Sequence, residues 1–143
     1  MVIKGILHPD DARTARALGM DAVIVSNHGG RQLDGSISPL QALPAIVDAA
    51  GGMDVMLDSG VRRGSDVLKA MALGARCVFV GRPFNFAAAV AGQRGVAHAI
   101  ALIVEEVRRN MGLLGVVDLG ALDADCLLRP SAAASSEDRD TAP

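Results

Sequence analysis

The chain has 143 residues, the size of one ordinary domain. Half of them are hydrophobic and the mean hydropathy is +0.33, so a buried core is available and global disorder is excluded. Fourteen Lys+Arg against sixteen Asp+Glu leave a formal charge of −2, without the basic excess of a nucleic-acid binder.

There is no Trp or Tyr and there are only three Phe, so base-stacking platforms and tyrosine chemistry have almost nothing to build on. Two cysteines far apart, Cys77 and Cys126, point to no disulfide framework and to a reducing, cytoplasmic setting. Met1-Val2-Ile3-Lys4-Gly5 lacks the apolar core of a signal peptide. The longest apolar stretch, Val96 to Val104, is too short for a bilayer, which needs roughly 20 apolar residues, so no membrane span is expected.

In chain order, Val2-Ile3 begins an extended run that Lys4-Gly5 cuts off. Pro9 suits a first helical position, Asp10 and Asp11 favour the positive end of the helix dipole, and Gly19 closes the segment. Ala22 to Val25 is an apolar run of strand length. Ser26 to Ser38 is polar and glycine-rich and reads as a long loop. Ser38-Pro39-Leu40-Gln41 matches a capping box, and Pro44 is expected to kink the helix that follows or restart it. Val55 to Leu57 forms the next strand, Val67 to Ala72 a helical face closed by Gly74, and Cys77 to Val80 the last strand. A helix from Val96 to about Met111 carries Ile100, Ile103, Val104, Val107 and Met111 on one stripe, expected to pack against the sheet. The small, charged tail from Ser131 to Pro143 is expected to be disordered, leaving one domain over residues 1–130.

Leu18-Gly19-Met20-Asp21-Ala22-Val23-Ile24-Val25 is echoed by Leu73-Gly74-Ala75-Arg76-Cys77-Val78-Phe79-Val80. Each reads as a helix end, a glycine cap, a turn and a buried strand. Continuous apolar strands imply a parallel sheet covered on both faces. Repeated strand–helix units suit a doubly wound sheet or part of a (β/α)8 barrel, and four units suit half of one.

Ligand groups in parallel α/β folds gather where the strands end. Lys4 follows the first strand, Ser26-Asn27-His28-Gly29-Gly30-Arg31 the second, Asp58-Ser59-Gly60-Val61-Arg62 the third, and Gly81-Arg82 the fourth. Glycine beside arginine on the last two ends suits a phosphate held by amides and a guanidinium. His28 has the chemistry of a base near neutral pH, and Arg31 can grip a carboxylate bidentately. The bland alternative is a local hydrogen bond for His28 and a solvated Arg31. Asp58 has its own alternatives, a helix cap or an ion pair with Arg62 or Arg63.

Ser26-Asn27-His28-Gly29-Gly30-Arg31-Gln32-Leu33-Asp34 resembles the active-site stretch of the FMN-dependent α-hydroxy-acid dehydrogenases and oxidases, the family of glycolate oxidase, lactate oxidase and mandelate dehydrogenase. Asp58 to Asp66 and Gly81-Arg82-Pro83 resemble its FMN-phosphate segments, in the right order. The resemblance implies FMN as cofactor and oxidation of a small 2-hydroxy acid to the 2-keto acid. It implies His28 as base and Arg31 as clamp on the substrate carboxylate. Lys4 would lie against the pyrimidine side of the flavin, and Ser26 would contact it. Asp58, Ser59, Gly60, Val61 and Arg62 would hold the ribityl-phosphate, completed by Gly81 and Arg82. Ser59 stands where many members have glycine.

The family fold is a whole (β/α)8 barrel, and the similarity covers its C-terminal half. The family's first half contributes tyrosines, further flavin contacts and an aspartate partner for the base, so a complementing N-terminal half or a homo-oligomer is expected. An open half-sheet would expose its edges and inner face. The other readings are a non-catalytic flavin- or phosphate-binding half-barrel and an enzyme of another phosphate-binding barrel group; the stretch from Ser26 to Asp34 speaks against the latter.

Overall fold

The computed structural model describes residues 1–128; the tail from Ser131 onward lies outside them. Four strands, β1 (Val2–Ile6), β2 (Ala22–Val25), β3 (Asp54–Leu57) and β4 (Cys77–Val78), form one sheet in sequence order, every neighbouring pair parallel. Helices α1 (Pro9–Ala17), α2 (Pro39–Ala50), α3 (Gly64–Ala72) and α4 (Arg82–Leu114) follow the strands in turn. Sequential order without reversal is the connectivity of a barrel wall, not of a doubly wound sheet, whose strand order turns back.

The helix starts and stops follow local chemistry. Pro9 and Pro39 occupy the first helical positions, where a missing N–H costs nothing. His8 caps α1, its Nδ1 accepting the Asp10 amide at 3.2 Å. Gly19 and Gly74 both take left-handed φ just past α1 and α3, as the sequence echo requires. Two expectations are corrected on α2. Ser38 makes no side-chain cap bond, because its hydroxyl does not meet the first amides. The helix also runs through Pro44 without a non-helical residue: one lost bond early in a well-buried helix does not break it.

The core lies between the sheet and its helices. Val23 and Val25 of β2 and Val55 and Leu57 of β3 are buried against Ala12, Ala15, Leu43 and Ile46. Ile24 and Met56, paired in register on the other face, are only half-buried. The strands are thus apolar on both faces, as read, but only the helix-facing side is fully covered; Val2, Ile3 and Phe79 are exposed.

Strand β1 carries an irregularity. Lys4 pairs with Ile24 but Ile6 with Val25, and Gly5 between them has φ 100°. The extra residue turns consecutive even positions to opposite faces: Ile6 enters the core while Lys4 lines the cleft on the other side.

Helix α4 packs chiefly on α3, not on the sheet as its stripe suggested. Ile103, Val107 and Met111 are half-buried there, while Ile100 and Val104 are exposed. Its backbone breaks at Ala91 and Gly92, and Gly95 approaches Ala87 so closely that a Cβ would lie 2.0 Å from its carbonyl oxygen. By length and composition alone α4 could cross a membrane. It is broken at Ala91 and Gly92, carries Arg94, Glu105, Glu106, Arg108 and Arg109, and packs on α3.

Candidate active site

At the carboxyl ends of the strands a cleft of about 470 Å³ gathers Lys4, His28, Arg31, Asp58, Ser59, Gly60, Val61, Arg62, Gly81 and Arg82. Of the residues singled out in the sequence, only Ser26 is not on its wall; it is buried just beneath. Ile24, Phe79, Val80 and Asn85 also line it. Strand periodicity would have found Ile24, which faces away from the core residues Val23 and Val25.

Under the cleft floor runs a polar network. Lys4 Nζ lies 2.9 Å from Asp58 Oδ2 and donates to Ser26 Oγ at 2.9 Å. Asp58 therefore neither caps α3 nor pairs with Arg62 or Arg63; capping falls to Asp66, whose Oδ2 accepts the amides of Arg62 and Arg63 at 3.0 Å each. Burial acts to raise the Asp58 carboxyl. Hydrogen bonding from Ser26, Lys4 and Ser59 and the Lys4 charge together outweigh it and hold the pKa below the usual carboxylate value.

The segment after β2 is a turn of three consecutive left-handed residues, His28 (φ 56°), Gly29 (φ 70°) and Gly30 (φ 72°). Glycine takes this conformation freely; His28 does not, and something must hold it. The Asn27 side chain accepts the Gly30 amide at 3.2 Å, and Ser26 Oγ accepts the His28 amide at 3.1 Å. The His28 imidazole is exposed and makes no hydrogen bond among the described residues, so it is presented to the cleft.

The other side of the cleft is an amide cradle. The amides of Ser59, Gly60, Val61, Gly81 and Arg82 have no acceptor among the described residues. Those at the start of α3 are taken: Gly64 donates to Glu106 Oε2 at 2.7 Å, and Arg62 and Arg63 donate to Asp66. Arg62 therefore offers its guanidinium and not its amide. Arg82 Nη2 donates to the Gly29 carbonyl at 3.1 Å, tying the β4 end to the His28 turn. With Lys4, Arg31, Arg62 and Arg82 around a single carboxylate, the cleft is a cationic site suited to anions.

Comparison with known proteins agrees with this arrangement. Residues 1–129 match the family model described as FMN-dependent dehydrogenase. The L-lactate dehydrogenase of Chromohalobacter salexigens is 50% identical over 138 residues, covering 96% of this chain and 35% of that protein. The L-lactate dehydrogenase of Pseudomonas aeruginosa (strain LESB58) is 52% identical over 130 residues, covering 90% and 34%. Among solved structures, mandelate oxidase with (S)-2-phenylpropionate superposes with TM-score 0.82 at 52% identity, over 85% of this chain and 36% of that one. An active chimera of (S)-mandelate dehydrogenase does so with TM-score 0.84 at 43% identity, over 87% and 35%. The chain spans about a third of the length of these relatives, and the four-stranded sheet is a segment of their barrel. It belongs to the FMN-dependent dehydrogenase family.

Proposed function

We propose that this chain supplies the base-bearing and phosphate-binding part of an FMN-dependent oxidoreductase that converts a small 2-hydroxy acid to its 2-keto acid. The observation that carries the reading is the convergence of His28, Arg31, Lys4 and the amide cradle on one cleft. The donor set fits the cofactor. Unpaired amides at Gly60 and Gly81 with the guanidinium groups of Arg62 and Arg82 suit a phosphate dianion, and the Lys4 ammonium suits a ring that gains negative charge on reduction. FMN, when bound, supplies the acceptor for two electrons. Ser26 contributes from below by orienting Lys4.

The substrate loses two electrons and two protons; His28 would take one proton, the electron pair and the other proton would go to the acceptor that bound FMN supplies, and Arg31 would hold the carboxylate beside the base. The remaining barrel strands, on a longer product or a second chain, would cover the half-buried face around Ile24 and Met56 and complete the substrate pocket. Free thiols at Cys77 and Cys126 support a cytoplasmic setting.

A second reading, a half-barrel that binds flavin or phosphate without turnover, is favoured by the exposure of that same face. Two measurements separate them. Addition of FMN to the chain is expected to shift the flavin absorbance; no shift rejects the binding half-barrel. In protein completed with the rest of the barrel, anaerobic lactate, glycolate or mandelate is expected to bleach the flavin, and persistent colour with all three leaves only the binder. There, His28→Ala should lower the rate of bleaching about 100-fold or more with FMN still bound. Arg31→Lys should chiefly raise the acid concentration needed, because an ammonium lacks the planar fork.

A further inference from the structure

Ser59 stands in a conformation that favours glycine. Its φ is 77°, and among the described residues it and His28 are the two non-glycine residues in the left-handed region. Such strain persists where surrounding contacts over-determine it. Here the hydroxyl supplies those contacts. It donates to Asp58 Oδ1 at 2.7 Å and accepts the Gly29 amide at 2.9 Å. An ionised carboxylate only accepts, so the Asp58 bond fixes the hydroxyl proton and leaves a lone pair for Gly29.

The neighbouring amide is held in the same way. Ser26 Oγ accepts from His28 N at 3.1 Å while receiving Lys4 Nζ at 2.9 Å. The peptide groups before and after the His28 Cα are therefore each tied to a serine hydroxyl, and both hydroxyls to the Lys4–Asp58 pair. Fixing both peptides fixes the direction in which the imidazole leaves the backbone. A glycine at position 59 would adopt φ 77° without strain but would release the Gly29 amide to water.

We propose that Ser59 is a positioning residue for His28: its hydroxyl, oriented by Asp58, holds the left-handed turn that presents the imidazole to the cleft. The consequence for chemistry rests on His28 being the base, as proposed above; the geometric claim does not.

The test uses the full chain labelled with ¹⁵N, in wild-type, Ser59→Gly, Ser59→Ala and Ser59→Thr forms. Three quantities are read: hydrogen exchange of the Gly29 amide, the intraresidue HN–Hα nuclear Overhauser effect of His28, which is strong only at positive φ, and Tm. Ser59→Gly relieves the backbone and should keep or raise Tm, yet Gly29 should exchange about tenfold faster, the worth of one net hydrogen bond. Ser59→Ala should show the same loss of protection. Ser59→Thr keeps the hydroxyl but places a branched side chain at positive φ, so Tm should fall while Gly29 stays protected to within about threefold. The His28 HN–Hα effect should weaken in the Gly and Ala forms and stay strong in the Thr form. Core amides of Val23 and Val25 should follow Tm across the series. Gly29 protection that simply follows Tm across the series, or that survives in Ser59→Gly, overturns the proposal. So does an undiminished His28 HN–Hα effect in the Gly and Ala forms. None of these readings uses flavin or substrate, so failure of the base assignment would show separately, as undiminished flavin bleaching in His28→Ala.

Discussion

Between Ile6 and Ala75 each strand is backed by helices that bury side chains against it, whereas from Arg76 to Leu128 no residue is buried. The first region holds the whole apolar core and the His28, Asp58 and Ser59 side of the cleft. The second holds Gly81 and Arg82 and reaches the first through the pairing of β4 with β3, the half-buried Val78 and Val80, and the packing of α4 on α3. One wall of the cleft is therefore rigid by full burial, and the other is held by the edge pairing of β4, half-buried side chains and one helix–helix contact. Segments with few buried contacts open at lower free energy than the core, so the phosphate end should be the first part to loosen.

The largest expected effect lies in the core. Leu43 is 0% exposed on α2, and Leu43→Ala should cost about 2–5 kcal/mol through lost burial and the cavity left behind. Ile103 on α4 is only half-buried, and Ile103→Ala should cost about 1 kcal/mol, near the middle of ordinary substitutions. Urea unfolding of the two variants measures the contrast; equal losses would mean that α4 is as much core as α2.

An intermediate effect is expected at the hinge between the regions. A Cβ on Gly64 would lie 2.5 Å from Val107 N and 2.7 Å from Glu106 Cβ. The first of these is backbone and yields only if α4 moves. Gly64→Ala should cost about 1–3 kcal/mol, the range of overpacked sites. Its signature is regional: α4 amides should exchange faster while Val23 and Val25 keep their protection. Uniform acceleration across the chain would show instead that the two regions unfold as one.

The first region was also the more legible in the sequence. Its strands are short apolar runs bounded by glycine and proline, and the repeat of Leu18-Gly19 in Leu73-Gly74 marked two helix ends that the structure closes with left-handed glycines. The strand-end residues were legible because parallel sheets collect polar groups at one rim. Less accessible was anything set by contacts across long stretches of chain. The Glu106 bond to the Gly64 amide spans 42 residues and the Ser59 bond to the Gly29 amide spans 30. Asp58 had an arginine four residues away, a pattern that suggests a local pair, yet the fold brings Lys4 to it from β1. The α4 stripe named the right helix and the wrong neighbour, because periodicity gives a face without saying what covers it.

The smallest effect concerns pH and sharpens the contrast from the rigid side. Asp58 has a folded pKa below its ordinary value, since its hydrogen bonds and the Lys4 charge outweigh its burial. The folded state then binds fewer protons than the unfolded one, and stability rises with pH across that interval. The contribution is complete above the unfolded carboxyl pKa of about 3.9 and is lost as pH falls through the lower, folded value. The Tm difference between wild type and Asp58→Asn should be level from about pH 7 to pH 5 and shrink below about pH 4. Lys4→Met should trace the same shape, because it removes the other half of the pair. A difference that grows on acidification would reverse the sign of the linkage and require a protonated Asp58 in the fold. Lys4 is still 43% exposed, so solvent and salt screen part of the attraction. Added salt should narrow the gap at neutral pH, yet the hydroxyl bonds to the carboxylate should keep it from closing.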